Sequence, residues 1–221
     1  MENKADLLEA EQALEIANVR FERPEVELIA DLQKFQNLLT KWQKIQNLVS
    51  RETLSQFWLR HVADSLQLLA YIPDNIKRIT DFGSGGGLPA IVLAIALKDK
   101  AVKFTLVEAN SRKVAFLRAV VRELGLNAQI IDSRIEDCEF SGDNVPQMII
   151  ARAVAPLIEL LRLSKPISNS KTVLIFPKGK EYTEELTKAN GDWCYNVVIH
   201  SSVTNKASTV LEITDFTPKN S

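Results

Sequence analysis

From Pro73 onward the apolar residues stop recurring at helical spacing and fall into short β-branched runs, each followed by an amphipathic stretch. Few folds accept that order, because parallel neighbours in a sheet need crossovers long enough to hold a helix. Residues 78–82 give way to a helix over 88–97, and 104–107 to a helix over 112–124. Runs at 129–131, 148–150 and 172–176 continue the alternation, with a helix over 156–163 between the last two. The final runs, 197–199 and 209–213, have no helix between them and predict an antiparallel hairpin. The expectation is α/β, with a seven-stranded, mostly parallel sheet closed by that hairpin.

The residues before Pro73 read differently. Leu7, Leu8, Leu14 and Ile16 lie among acids in a helix over 5–19, and Pro24 restarts a helix at its favoured first position. From Val26, apolar residues recur every three or four positions through Phe35, Leu39, Trp42 and Ile45. A third helix is expected over 53–71. The chain thus divides into an N-terminal helical region, 1–74, packed on an α/β domain, 75–221.

Charge and composition remove several classes. Lys and Arg number 27 against 28 Asp and Glu, a net charge of −1, which excludes a uniformly basic nucleic-acid coat. The balance is uneven: residues 1–31 carry 9 acids and 3 bases, leaving 19 acids and 24 bases for the rest. A localised anion-binding face therefore remains open. No apolar stretch approaches the roughly 20 residues of a membrane span. The acidic start Met1-Glu2-Asn3 is unlike a secretory leader. Cys138 and Cys194, without metal-ligand spacing, argue against a disulfide framework or a thiolate zinc site, and no metal is expected. A reducing, cytoplasmic setting is expected.

The segment that carries chemistry is Asp81-Phe82-Gly83-Ser84-Gly85-Gly86-Gly87-Leu88-Pro89, joining the first strand to its helix where parallel sheets present ligands. A dinucleotide fingerprint aligned on Gly83 and Gly85 needs glycine at position 88, which is Leu88, so a nicotinamide oxidoreductase is disfavoured. The GxGxG pattern behind an acid is instead similar to motif I of the class I S-adenosylmethionine-dependent methyltransferases, a Rossmann-like fold in which the acid and loop amides, here including Gly85, meet the methionine end of the cofactor. Glu108 ends the second strand about 20 residues on, where a carboxylate accepts from ribose hydroxyls. The bland alternative is a helix-terminal charge facing Arg112 or Lys113. After the third strand, Ser133-Arg134-Ile135-Glu136-Asp137 can recognise an adenine edge or be merely solvated loop charge.

Beyond the loop, Trp42 with Asn47-Leu48, Arg60-His61 with Asp64-Ser65, Lys113-Val114-Ala115-Phe116-Leu117, Ser133-Arg134-Ile135-Glu136, Ala151-Arg152-Ala153 and Lys178-Gly179 appear in order. On these motifs, over about residues 30–185, the chain resembles the RsmG (GidB) family of bacterial 16S rRNA methyltransferases. The resemblance implies S-adenosylmethionine contacts at Gly83, Leu88, Ile135, Glu136 and Arg152, and methyl transfer to N7 of one guanine of 16S rRNA, free or in the small ribosomal subunit. Ala90, Glu108-Ala109-Asn110 and Pro177 depart from the family pattern, though Glu108 keeps the carboxylate.

The implied chemistry fits what the sequence lacks. Guanine N7 carries a free lone pair, so no general base or covalent nucleophile is required and no catalytic side chain is assigned; positioning in line with the methyl is what remains. His61 shares a helix face with Asp64 and Ser65, so a His61–Asp64 hydrogen bond is feasible, with packing and pocket wall evenly weighed. Arg152, Lys178 and Lys180 are candidates to meet RNA phosphate or base edges. Arg112, Lys113, Arg118 and Arg122 read as a solvated face, and Trp42, Phe57 and Trp58 as packing. Two alternatives stay open: a methyltransferase with a non-RNA acceptor, and a non-catalytic rRNA-binding or assembly factor on the same fold. The sequence does not fix the oligomeric state, and a monomer is compatible with it.

Overall fold

The computed structural model describes residues 4–219, so the leader reading of Met1-Glu2-Asn3 lies outside the described residues. The helical region runs α1 (Lys4–Ala17), α2 (Glu25–Gln43), α3 (Arg51–Leu54), a π-helical segment (Phe57–Ala63), α4 (Asp64–Leu66) and a 3-10 turn (Gln67–Tyr71). The α/β part then gives β1 (Arg78–Phe82), α5 (Ala90–Ala96), β2 (Lys103–Glu108), α6 (Ser111–Leu124), β3 (Ala128–Asp132) and β4 (Met148–Ala151). It continues through α7 (Leu157–Ser164), β5 (Val173–Lys178), α8 (Tyr182–Asp192), β6 (Trp193–Ser201) and β7 (Thr209–Pro218).

Among the described residues the sheet has seven strands in the order β3-β2-β1-β4-β5-β7-β6. β1 to β5 pair in parallel, and β7 is antiparallel to both β5 and β6. Strand order reverses at β1, whose neighbours are β2 and β4. The chain leaves it in one direction and returns on the other, which opens a crevice at the carboxyl ends of β1 and β4.

Both faces of the sheet are covered, as its apolar parallel strands demand. One core cluster joins α2, the π segment and α5 to the sheet through Leu28, Phe35, Phe57, Ile91 and Leu106. Phe35 lies against Phe57 and Phe116 at 5.9 and 6.5 Å between ring centroids, and Trp42 against Phe116 at 5.8 Å. Phe57 and Trp58 are buried, as packing requires. A second cluster, built on Leu157, Leu160, Phe176, Trp193 and Ile213, fills the other face.

Two elements differ from the sequence reading. The single helix expected over 53–71 is broken into four windings. The Ser65 hydroxyl donates to the His61 carbonyl at 2.6 Å, the local side-chain bond that competes with regular helix, and the π winding keeps His61 buried beside an exposed Arg60. The second difference is α8, absent from the sequence reading. Its apolar face is short, with Tyr182, Leu186 and Ala189 at i, i+4 and i+7 against the second core cluster, and Asn190-Gly191 reads as a turn.

A buried ion pair anchors α2 to the end of α5. The Arg23 guanidinium donates to Asp31 Oδ2 at 2.7 Å and to the Ile95 carbonyl at 3.1 Å, while Lys98 and Lys34 reach the same carboxylate. Burial by itself would raise the Asp31 pKa, but the hydrogen bonds from Arg23, Lys98 and Lys34 hold it down at about 2. Because the folded value lies below the ordinary 3.8, the stabilisation is complete above pH 4 to 5 and is lost as pH falls towards 2. Asp31→Asn should therefore lower unfolding stability at pH 7 by roughly 2 kcal/mol and flatten the acid limb over that window, measured by urea titration at several pH values.

Candidate functional site

The site is built on the turn that follows β1. Gly83, Gly85 and Gly87 have φ of 58, 55 and 82°, left-handed values that side chains resist. Gly87 admits nothing larger, since a Cβ there would come within 2.5 Å of Ile91 Cγ1. Gly86 lies under the segment that follows α2, with a Cβ position 3.1 Å from the Leu48 carbonyl. Gln43 pins that segment by accepting from Leu48 N–H and Val49 N–H and donating to the Val49 carbonyl. The helical region thus presses directly on the glycine turn.

Two acids meet this turn. Glu108 accepts from Gly85 N–H through Oε2 and from Asn110 N–H through Oε1, both at 2.8 Å. It makes no ion pair with Arg112 or Lys113, whose amides are capped by Asn110 Oδ1. A carboxylate has about four acceptor positions, so each oxygen of Glu108 keeps one for a further donor. Asp81 is the second acid. It is buried, both carboxylate oxygens lack a hydrogen-bond partner, and burial pushes its pKa up to about 7. An unpaired buried carboxylate is costly unless something charged or donating comes to it.

The remaining sequence candidates fall into place unevenly. Ser133 N–H donates to the Glu108 carbonyl, bringing the short 3-10 turn Ile135–Asp137 beside the end of β2. Ile135 is half-buried against the second core cluster and Glu136 is exposed. The Leu88 side chain is buried in the first cluster, so this position offers a ligand its main chain. Arg112, Arg118 and Arg122 are exposed and Lys113 half-buried, as a solvated face requires.

Arg152 does not project freely from β4. Its guanidinium donates to Asp64 Oδ2 at 3.1 Å, to the Arg60 carbonyl at 3.3 Å and to His61 Nδ1 at 3.3 Å. His61 and Asp64 are therefore joined through Arg152, not by the direct hydrogen bond that their spacing allowed. His61 Nε2 lies 3.1 Å from Thr53 Oγ1, so Nδ1 accepts and Nε2 carries the proton. Asp64 also accepts from Gln67 and from Thr204 in the β6–β7 loop. Lys178 likewise differs from its reading as a phosphate holder: its ammonium is consumed by the Ala155 carbonyl at 2.9 Å and Glu185 Oε2 at 2.7 Å. Lys180 is exposed, and no ion pair involves it among the described residues.

Beside the glycine turn lies a cavity of about 470 Å³ at the carboxyl ends of β4, β5 and the start of β7, walled by Arg152, Val154, Lys178, Glu185 and Ser208. Val154 is shared with the turn, because the Cβ position of Gly83 lies 3.0 Å from its Cγ2. Asp64 reaches this wall from the helix face for which a pocket-wall role was weighed, whereas Gln67 and Glu185 reach it without any signal in the sequence reading. A second cavity, about 320 Å³, opens among Arg23, Ile76, Lys100 and Val102 at the opposite end of the strands, away from the turn. Among the described residues no cluster of metal-ligating side chains occurs, and no helix is long and apolar enough to cross a membrane.

The family model for rRNA small subunit methyltransferase G, GidB, matches residues 28–214. The chain belongs to that family. Ribosomal RNA small subunit methyltransferase G of Dinoroseobacter shibae is 39% identical over 188 residues, covering 84% of this chain and 95% of that protein. The Rickettsia bellii protein of the same description is 40% identical over 191 residues, with 86% and 95% covered. Among solved structures, the O-methyltransferase TomG from Streptomyces achromogenes, in complex with S-adenosylmethionine, superposes with a TM-score of 0.58 at 13% identity over 97% of this chain and 99% of its own. A SAM-dependent methyltransferase from Aquifex aeolicus gives 0.54 at 16% identity, covering 79% and 97%. The fold is thus the class I methyltransferase fold, which TomG carries in complex with S-adenosylmethionine. The partnerless Asp81 carboxylate and the spare acceptors of Glu108 fit the ammonium and ribose of that molecule.

The His61 imidazole, held beside Arg152, has a measurable property. Burial first, then the Arg152 charge, depress the His61 pKa from 6.5 to about 4. Unfolded chains bind this proton below pH 6.5 while folded ones do not, so the contribution to stability is whole above pH 6.5 and declines towards pH 4. The imidazole Cε1–H shift of His61 in NMR should stay neutral down to about pH 5, and a midpoint near 6.5 would contradict the arrangement.

Proposed function

We propose that this chain transfers the methyl group of S-adenosylmethionine to N7 of a single guanine in 16S rRNA. The observation that carries the reading is the shared Val154 wall, which sets an open cavity next to the cofactor turn and so gives an acceptor a place beside the donor. Asp81 takes the ammonium of the cofactor, the amides of Gly83 and Leu88 its carboxylate end, and Glu108 its ribose hydroxyls; the Gly85 amide, expected from the sequence at the methionine end, instead holds Glu108 in place. Ile135 and Glu136 flank the adenine. Arg152, tied to Asp64 and His61, borders cofactor and acceptor together.

The sulfonium methyl is electrophilic when the cofactor is bound. N7 of a neutral guanine attacks it with its own lone pair, so no proton leaves the base in this step. The ionisable side chains around the cavity suit that chemistry: Asp64 is paired with Arg152 and Glu185 with Lys178. Catalysis comes from holding the two reactants in line. This division assigns residues 1–74 to a helical region that supplies His61 and Asp64 and residues 75–221 to the methyltransferase domain. All these residues come from one chain, so a monomer suffices, and the activity belongs in the cytoplasm with ribosomal subunits.

Purified protein given labelled S-adenosylmethionine and small subunits from a strain lacking this chain should yield 7-methylguanosine on nuclease digestion. Label in protein or in a small molecule would instead favour another acceptor, and no label in RNA would favour an assembly role. Cofactor affinity should rise with pH as Asp81 loses its proton, gaining about fivefold between pH 6 and 7 in calorimetry. Asp81→Asn should weaken binding by about 10- to 100-fold and abolish that slope.

A further inference from the structure

Glu185 is the one acid on the cavity wall with an unused oxygen. Its Oε2 accepts from Leu157 N–H at 2.6 Å and from Lys178 Nζ at 2.7 Å, while Oε1 has no hydrogen-bond partner among the described residues. Asp64, the other acid of that wall, is spent, with Oδ2 on Arg152 and Oδ1 on Gln67 and Thr204. The two bonds to Oε2 fix the Glu185 carboxylate, so Oε1 is a rigid acceptor carrying charge.

The position of this acceptor follows from strand order. The cofactor turn lies at the end of β1, Arg152 follows β4, and Lys178 ends β5 with Glu185 bound to it. Glu185 therefore stands across the cavity from the cofactor turn. A guanine whose N7 meets the methyl turns its N7 and O6 edge towards the cofactor and its opposite edge, N1–H and the 2-amino group, away from it. Those two groups are hydrogen-bond donors, and a charged acceptor opposite them completes the base. Adenine offers an acceptor at N1 and no 2-amino group, so it would leave Oε1 facing a lone pair.

We propose that Glu185 is the specificity-determining residue of the acceptor pocket, reading guanine through N1–H and the 2-amino group with Oε1. This rests on the N7 reading above and adds to it how guanine is told from adenine. A site built to accept from donors discriminates strongly against a base that lacks them.

The test uses full-length protein saturated with S-adenosylhomocysteine and titrated with GMP, IMP or AMP, followed by saturation-transfer NMR. IMP keeps N1–H but lacks the 2-amino group. Wild-type protein should bind GMP about 10-fold more tightly than IMP, and IMP about 10-fold more tightly than AMP, as expected for bonds to a charged acceptor. In Glu185→Gln the amide oxygen can still accept from Leu157 and Lys178, while the amide nitrogen turns a donor towards the base. The preference for GMP should then vanish, AMP, whose N1 accepts, binding at least as tightly as GMP, with the melting temperature and S-adenosylhomocysteine affinity showing that the fold is kept. A preserved GMP preference in Glu185→Gln, equal binding of GMP and AMP by wild type, or no saturable GMP binding overturns the assignment. Formation of 7-methylguanosine by the same wild-type preparation reports separately on the reading beneath it.

Discussion

The bond from Gly85 N–H to the Glu108 carboxylate joins the loop after β1 to the end of its neighbour β2 beside the sheet's switch point, and the site is arranged around it. A turn tight enough to make it needs left-handed residues at 83, 85 and 87, which excludes side chains there and brings the main chain close to any ligand. The same turn buries Asp81 with no partner of its own, leaving a carboxylate that gains from meeting a cation. The segment 44–49 closes over Gly86, so the helical region is part of this turn's wall rather than an appendage.

Arg152 performs the corresponding task on the other side of the crevice. A guanidinium at the end of β4 would be free to sample many rotamers, yet three bonds to Arg60, His61 and Asp64 fix it. The π winding of Phe57–Ala63 places these partners together, and the Thr204 hydroxyl extends the network to the β6–β7 loop. Three distant parts of the chain thus define one rim. The positive rim expected at Arg152 and Lys178 is internally paired: Arg152 meets Asp64, and Lys178, a natural candidate for phosphate, is neutralised by Glu185 inside the cavity wall.

Much of the fold was legible because strands buried on both faces announce themselves as short apolar runs and the turn chemistry between them is strict. All seven strands and the glycine turn lie where the sequence put them. What escaped was structure held by polar contacts. The helix α8 has only a short apolar face, Tyr182, Leu186 and Ala189, and is docked by the half-buried Glu185 through Lys178, 7 positions away, and the amide of Leu157, 28 positions away. The break of the expected helix over 53–71 escaped for the same reason, since it depends on local side-chain bonds and on Arg152 from a remote strand. Glu108 was placed correctly at the end of β2, but its partner, the Gly85 amide 23 positions earlier, leaves no mark in the sequence.

The central claim is that this cofactor turn and its adjoining cavity bring one rRNA guanine to a methyl donor. Mapping N7-methylated positions of 16S rRNA by N7-specific chain cleavage, in cells with and without this chain, tests it most directly. The account predicts one guanine that loses its methyl in the deletion strain and regains it with the wild-type gene but not with a bulky residue at Gly87. Identical cleavage patterns in the two strains would contradict it.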